Sequence, residues 1–333
     1  VGLNLKLIKS MGAQSFNLSV NRQPSYTNHL SVNKDVRGIL FHEFATNYLS
    51  KCRKTEKAKK CYRHALRHFS IFCNMNNITP MTYEISMEMM DDFVYYLQAT
   101  AKLMSSTAFN CLVRLKTLLR MASCSGYDID YSYSGVNVKV DEHDVITLDR
   151  DEITQLYVFD GLTPSEEIVR DLFIVACMTA LRFSDFSRLR EENFIGNMIQ
   201  IKTQKTGTLV IIPQSKYVRS LLRKYNYQLP KCPCIQHFNK VIKTVCRKAG
   251  INQPVPYERT IGLERISKMV PKWERIGSHS GRRSAATNMF LAGIPALRIM
   301  KITGHKTEEA FMHYIGLSKE ENAATLAGNI FFH

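Results

Sequence analysis

Residues 279–314 read HSGRRSAATNMFLAGIPALRIMKITGHKTEEAFMHY. Apolar residues recur at helical spacing over Arg282–Leu291, stop at the Ala292-Gly293-Ile294 break, and resume over Pro295–Ile302. Further helical pattern covers Glu308–Tyr314 and Lys319–Leu326. The stretch thus sets His279-Ser280-Gly281-Arg282 at the start of one helix and Gly304-His305 after the next. Tyr314 follows nine residues later.

Working upstream, Asp149 and Glu152 form a capping box that opens a mostly helical region reaching Arg190. The apolar run Leu172–Leu181, interrupted by Thr179, reads as a buried helix, and Arg182 follows directly on it. Met198–Lys202 and Leu209–Ile212 are β-rich runs joined by the turn signal Gln204-Lys205-Thr206-Gly207. Helices are predicted over Ser215–Tyr225 and Ile235–Ala249, with an irregular stretch, or a second hairpin, over Val255–Gly277.

Nearer the N-terminus the pattern predicts four helices. The first runs from Asp35 and carries Val36, Leu40, Phe41, Phe44 and Leu49; the second, Lys54–Asn74, buries Ala58, Tyr62, Ala65, Phe69 and Phe72. Ser86–Leu97 and Ser105–Ala122 complete the set, and Gly126–Asp144 reads as an extended linker. The predicted division is a flexible lead-in or remnant of an N-terminal arm module (1–34), a helical domain (35–125), a linker (126–148) and a C-terminal domain (149–333). The fold class is mainly α with a small β-sheet in the C-terminal domain.

The 333 residues are 45% hydrophobic and 22% charged, as globular cores require, and 45 Lys and Arg against 29 Asp and Glu leave a net charge of +16. That excess predicts a polyanionic partner, most simply nucleic acid. No apolar run approaches the ~18 residues that span a bilayer, and no signal-peptide pattern is present. Nine scattered cysteines suit reduced thiols in a cytoplasm rather than a disulfide framework. Val1 in place of Met fits a processed or trimmed fragment. Cys232, Cys234, His237 and Cys246 depart from paired CxxC knuckles, so no metal site is expected.

Taken singly, an arginine at a helix end, a lysine in a hairpin, a histidine beside a glycine and one of 15 tyrosines are ordinary. Their order is not. Arg182, Lys205 in a hairpin, His279-x-x-Arg282, Gly304-His305 and Tyr314 together resemble the tyrosine recombinases, or phage-type integrases, over roughly residues 36–333. The general texture is similar to integrases of mobile elements in Bacteroides-like bacteria. Two positions depart from the family: Ala180, where glycine is frequent, and Thr303, where leucine is frequent. Both are expected to be packing positions.

The resemblance implies a catalytic set of Arg182, Lys205, His279, Arg282, His305 and Tyr314, without cofactor or metal. The chemistry supports those residue types independently. A tyrosine can attack a phosphodiester and store the bond energy as a phosphotyrosine. Planar guanidinium groups donate paired hydrogen bonds to phosphate, and a helix N-terminus near Arg282 adds a favourable dipole. Either histidine can accept the tyrosine proton or bond the phosphate, while Lys205, by resemblance, is the general acid for the leaving 5′ oxygen. Asp185 is expected to orient or cap.

Lys51, Arg53, Lys54, Lys57, Lys59, Lys60, Arg63 and Arg67, opposed only by Glu56, are candidate DNA-phosphate contacts. Ser105, Ser106, Thr107, Asn110, Arg114 and Lys116 are polar groups of the fourth helix able to reach a groove. The implied whole is a two-domain DNA clamp, in which a helical core-binding domain and a tyrosine-recombinase catalytic domain hold double-stranded DNA at specific core sites. It would act as a homotetramer through a Holliday junction, with room for a DNA-bending accessory protein, in the bacterial cytoplasm and nucleoid and not at a membrane. Ile315, Leu317, Leu326, Ile330, Phe331 and Phe332 are expected to need a partner surface, a neighbouring protomer or the chain itself. Three alternatives stand beside this reading. A non-catalytic helix-turn-helix protein would leave Arg182, Lys205 and Tyr314 as coincidence; a type IB topoisomerase shares the chemistry; a relaxase would need a histidine cluster for metal.

Overall fold

A computed structural model describes residues 37–141 and 145–317, together with Ala323 and Ala327. The predicted lead-in (1–34) and the helix over Lys319–Leu326 lie outside the described residues, as do Leu326, Ile330, Phe331 and Phe332. The chain divides into two compact units, residues 1–142 with 258–266, and residues 143–257 with 267–333.

The first unit is built on α1 (Phe41–Lys51), α2 (Glu56–Met75), α3 (Met87–Tyr95) and α4 (Ser105–Cys124). Thr55 caps α2 and Ser86 caps α3 through their hydroxyls, and α3 runs on into a π-turn over Tyr96–Thr100. The predicted stripe of Tyr62, Ala65, Phe69 and Phe72 is buried, with Phe69 edge-on to Phe93 at 5.2 Å. The first helix begins at Phe41 rather than Asp35, after an isolated β-bridge of Leu40 with Met81.

Residues 126–141 are not the extended linker that the sequence predicts. A 3-10 turn over Tyr131–Gly135 leads Tyr133, Val136 and Val138 into the helical core, and Lys116 fastens it by donating to the carbonyls of Ser134 and Val136. The lack of helical period in this stretch excludes a helix but not packing. Asp141 accepts from Ser105 Oγ at 3.0 Å and from Thr260 Oγ1 at 2.8 Å within the same unit.

The second unit is organised by α6 (Pro164–Thr179), buried on nearly every side. Around it lie α5 (Arg150–Val158), the short α7 (Phe183–Phe186), α8 (Lys216–Lys224), α9 (Ile235–Lys248), α10 (Lys272–Arg275), α11 (Ser278–Leu291), α12 (Ala296–Thr303) and α13 (Glu308–Ile315). The capping box that opens α5 is present, Asp149 Oδ1 accepting from Glu152 N at 2.8 Å and Glu152 Oε2 from Asp149 N at 2.9 Å. The predicted strand pair is β2 (Met198–Lys202) and β3 (Leu209–Pro213), extended to an antiparallel meander by a short β1 (Phe194–Ile195). The stretch from Val255 resolves into a second hairpin, β4 (Pro254–Ile261) and β5 (Glu264–Pro271), whose tip, residues 258–266, belongs to the first unit.

The helix bearing His279 begins at Ser278, four residues before the predicted start, because Asn239 of α9 accepts the Ser278 N–H at 2.8 Å. Gly281 then lets α11 lie against α6. A Cβ there would stand 3.1 Å from both Ala176 Cβ and Phe173 Cε2. Gly281→Val is expected to lower the unfolding free energy by about 1–3 kcal/mol through overpacking, and to slow any chemistry that needs His279 and Arg282 in register. Urea unfolding checks this; unchanged stability would show that α11 has room to spare.

Ile315 is buried in a small cluster with Ala286, Ile299, Met300 and Phe311, and Leu317 packs against it. Of the two surfaces expected for these two residues, a neighbouring protomer or the chain itself, the chain itself supplies the one seen here.

Candidate active site

Five of the six predicted catalytic residues come together in the second unit. The anchor is the C-terminal end of α12, where the last carbonyls of a helix lack intrahelical partners and carry partial negative charge. The Thr303 carbonyl accepts from Arg182 Nη2 at 3.3 Å and also from Arg282. Arg282, only 2% exposed, donates in addition to the Ala180 carbonyl. One helix end thus draws two cations together, although like charges repel.

Ala180 and Thr303 are more than packing positions. Ala180 adopts a left-handed conformation (φ +54°), where glycine is at ease, and this turns its carbonyl to Arg282. Gly304, also left-handed at φ +71°, closes α12 and turns the chain so that His305 Nδ1 sits 2.9 Å from the Thr303 hydroxyl.

Tyr314, near the end of α13, packs into this cluster. Its ring centroid lies 4.6 Å from that of His305 and 5.5 Å from that of His279. The Arg282 guanidinium carbon is 6.0 Å from the ring centroid and that of Arg283 is 5.3 Å. The Tyr314 hydroxyl is buried, and Arg282 approaches it as a donor without full hydrogen-bond geometry. Buried polar atoms are seldom left so, and the exceptions ask for an explanation.

The electrostatics follow from burial and from this concentration of positive charge. Partial burial lowers the His279 imidazole to about 4, helped by Arg283, Arg282, Arg182 and His305, and although the residue keeps an exposed edge the ring is neutral at pH 7 with a lone pair to accept a proton. His305 is lowered by burial, then by Arg282 and Arg182. Tyr314 is raised by burial, and Arg282, Arg283 and Arg182 act against that by favouring the phenolate.

Lys205 is not brought into the cluster. It is exposed in the β2–β3 turn, with no hydrogen bond or ion pair to the other five residues. The turn itself is well tied. Thr203 Oγ1 sits 2.8 Å from Thr206 Oγ1, and the buried Asp185 accepts the Gln204 N–H at 2.8 Å. Asp185 therefore orients the hairpin rather than capping a helix. Sequence reasoning missed Arg283, whose signal is the Arg282-Arg283 doublet.

Among the described residues no three His, Cys, Asp or Glu side chains converge as metal ligands. Cys246 lies in the core of the second unit, whereas Cys234 is exposed at the start of α9.

In the first unit, Lys51, Arg53, Lys57, Lys60, Arg63 and Arg67 are exposed along the end of α1 and on α2, and Lys54 and Lys59 are half-buried. Glu56 is held by Arg63 at 3.1 Å and Lys59 at 3.5 Å, and Lys54 stacks on Tyr62. On α4, Ser106 and Thr107 are half-buried, Asn110 bonds the Ser106 carbonyl, and Arg114 lies over Tyr62. Lys116 departs from the expected groove contact, because its ammonium is taken up by the 3-10 turn.

Residues 147–321 match the model of the phage integrase family, and residues 40–134 match the phage integrase SAM-like domain. No match was found among curated proteins. Solved structures with similar folds include a lambda integrase (75–356) dimer bound to a COC′ core site, at 13% identity, covering 84% of this chain and 97% of that one, with a TM-score of 0.62. The Tn1549 transposon integrase (aa 82–397) in complex with circular intermediate DNA is 12% identical, covering 86% and 99%, TM-score 0.62. XerH site-specific recombinase bound to a palindromic difH substrate is 13% identical, covering 88% and 95%, TM-score 0.56. The class is that of the tyrosine-type site-specific recombinases, enzymes that cleave and rejoin DNA. The chain belongs to the phage integrase family.

Proposed function

We propose that Tyr314 is the nucleophile of the strand-transfer reaction, supported above all by its buried hydroxyl amid three arginines and two histidines. In this reading Tyr314 Oη forms a bond to the scissile phosphorus as the bond from phosphorus to the 5′ oxygen breaks. The phenolic proton passes to neutral His279, and Lys205 supplies a proton to the leaving 5′ oxygen. Arg182 and Arg282 hold the non-bridging oxygens, where charge builds up in the transition state, and His305 bonds the phosphate. The 3′-phosphotyrosine is resolved by attack of a 5′ hydroxyl from the partner duplex, and a second round of exchange resolves the Holliday junction.

Two contributions of the first unit complete the proposal. The described residues 37–141 form the core-DNA-binding domain, expected from the sequence over 35–125, and the exposed basic residues from Lys51 to Arg67 contact phosphates, with Ser106, Thr107, Asn110 and Arg114 nearer the groove. Double-stranded DNA with specific core sites is the substrate. A lambda integrase tetramer bound to a Holliday junction has a similar fold, at 12% identity and a TM-score of 0.57, which favours a homotetramer on two duplexes here. A mobile element of a Bacteroides-like bacterium, a nucleoid location and a DNA-bending accessory protein fit the same reading.

Lys205 gives the sharpest test, because its turn must approach the phosphate on DNA binding. Lys205→Ala is expected to slow cleavage by about 10²–10⁴-fold, the usual worth of a general acid. A substrate with sulfur at the 5′ bridging position, whose thiolate leaves without a proton, should restore the rate to within about tenfold of wild type. An unrescued variant would assign Lys205 a structural role.

A further inference from the structure

Arg283 belongs to none of the motifs that carry the family resemblance, yet its guanidinium carbon is nearer the Tyr314 ring than that of Arg282, 5.3 Å against 6.0 Å. Helix geometry explains how neighbours share one tyrosine. Successive residues of α11 point about 100° apart, so Arg282 turns to the carbonyls of Ala180 and Thr303 while Arg283 reaches the ring from another side. Their commitments differ accordingly. Arg282 is fixed by two backbone acceptors, whereas Arg283 makes no ion pair among the described residues and keeps its Nε buried without a hydrogen-bond partner.

A buried guanidinium N–H without an acceptor is unusual, and this cluster holds one in Arg283 Nε, beside a Tyr314 hydroxyl to which Arg282 donates only at poor geometry. A cation resting on an aromatic face is attracted by the ring's quadrupole, and the attraction grows when that ring becomes a phenolate.

We propose that Arg283 is a positioning residue for the nucleophile, resting its cation on the Tyr314 ring, holding the ring between His279 and His305, and stabilising the phenolate as attack begins. This rests on the reading of Tyr314 as nucleophile and adds to it. The bond changes are those of the cleavage step, with Oη joining phosphorus, the 5′ oxygen leaving with a proton from Lys205, and the phenolic proton going to His279. Arg283 enters no bond.

The groups facing Tyr314 come from three segments: His279, Arg282 and Arg283 of α11, Arg182 ahead of α7, and His305 after α12. Arg283 is also the foremost of the charges that hold the His279 imidazole down. Removing it therefore shifts both ends of the proton transfer in the same direction: the phenol becomes harder to ionise and the imidazole easier to protonate. Between pH 5 and 10 the imidazole, already at about 4, stays neutral, so the phenol governs the rising limb and that limb moves up.

The test is single-turnover cleavage of a nicked suicide duplex carrying the element's end sequence, from pH 5 to 10, by wild type, Arg283→Gln and Arg283→Lys. The limb for Arg283→Gln should lie about one pH unit higher, with about tenfold slower cleavage near neutrality and rates that converge with wild type in alkali. Arg283→Lys, which keeps the charge, should follow wild type to within about threefold. If Arg283→Gln does not fold, Arg283→Met carries the same comparison. A loss equal at every pH, no loss, or a lysine variant as slow as glutamine overturns the proposal. A wild-type protein that forms no adduct at any pH contradicts the nucleophile assignment itself, a separate outcome.

Discussion

Replacing Tyr314 with Phe is expected to abolish covalent joining to DNA while leaving DNA affinity and folding close to wild type. The reason lies in what the hydroxyl lacks. Its donor is Arg282, placed off good hydrogen-bond geometry, and Arg282 keeps the Ala180 and Thr303 carbonyls when the hydroxyl is removed. The ring contacts with His279, His305, Arg282 and Arg283 depend on the aromatic face, which Phe keeps. Deleting a buried, poorly bonded hydroxyl removes a desolvation penalty, so Tyr314→Phe should lie within about 1 kcal/mol of wild type in unfolding free energy. A structural tyrosine would behave the other way, losing stability without a specific loss of chemistry. Equilibrium unfolding, a DNA-binding titration and an assay for the covalent species separate the two cases; an adduct formed by the Phe variant would remove Tyr314 from the mechanism.

Arg282→Lys is expected to produce the second largest effect, a fall of about 10²–10³ in cleavage rate, the scale of losing one preorganised donor to a developing oxyanion. Arginine has five N–H donors in a rigid fork. At this position two directions are taken by the Ala180 and Thr303 carbonyls, leaving others for phosphate. A lysine ammonium has three donors at one point, and cannot satisfy two carbonyls from separate elements and still present a pair to a phosphate. The charge is retained, so bulk DNA affinity should fall only a few-fold. Arg282→Ala is the poorer probe, because it leaves the buried Ala180 carbonyl unpaired at about 1–3 kcal/mol, and the Thr303 carbonyl with Arg182 alone, and so confounds chemistry with folding. Near-wild-type cleavage by Arg282→Lys would show that Arg282 acts as a charge rather than as a directed donor.

The five clustered residues were legible because they sit near helix ends or after a glycine that the sequence marks. Arg182 follows the buried run of α6, His305 follows left-handed Gly304, and Gly281 makes the close approach that sets His279 and Arg282 against α6. What the sequence hid is backbone. The Thr303 carbonyl gathers Arg182 and Arg282, yet side-chain identity says nothing about where a carbonyl points, so Ala180 and Thr303 read as packing positions. Lys116 fails for a related reason. On a helical wheel it looks like any solvated lysine, and only the fold of residues 131–136 shows that its ammonium is occupied. The packing of 126–141 was missed because Tyr133, Val136 and Val138 reach the core from a turn that has no regular period.

The central claim, metal-free attack by Tyr314, is tested most directly by locating the bond. A nicked suicide duplex bearing the element's end sequence is incubated with wild-type protein in EDTA, and the adduct is digested with nuclease and trypsin and mapped by mass spectrometry. The tryptic peptide from Thr307 to Lys319 contains one tyrosine, Tyr314, so the assignment is unambiguous. The account predicts a nucleotide remnant on that peptide, formed in EDTA. A remnant on any other residue, or an adduct that forms only when a divalent metal is restored, would contradict it.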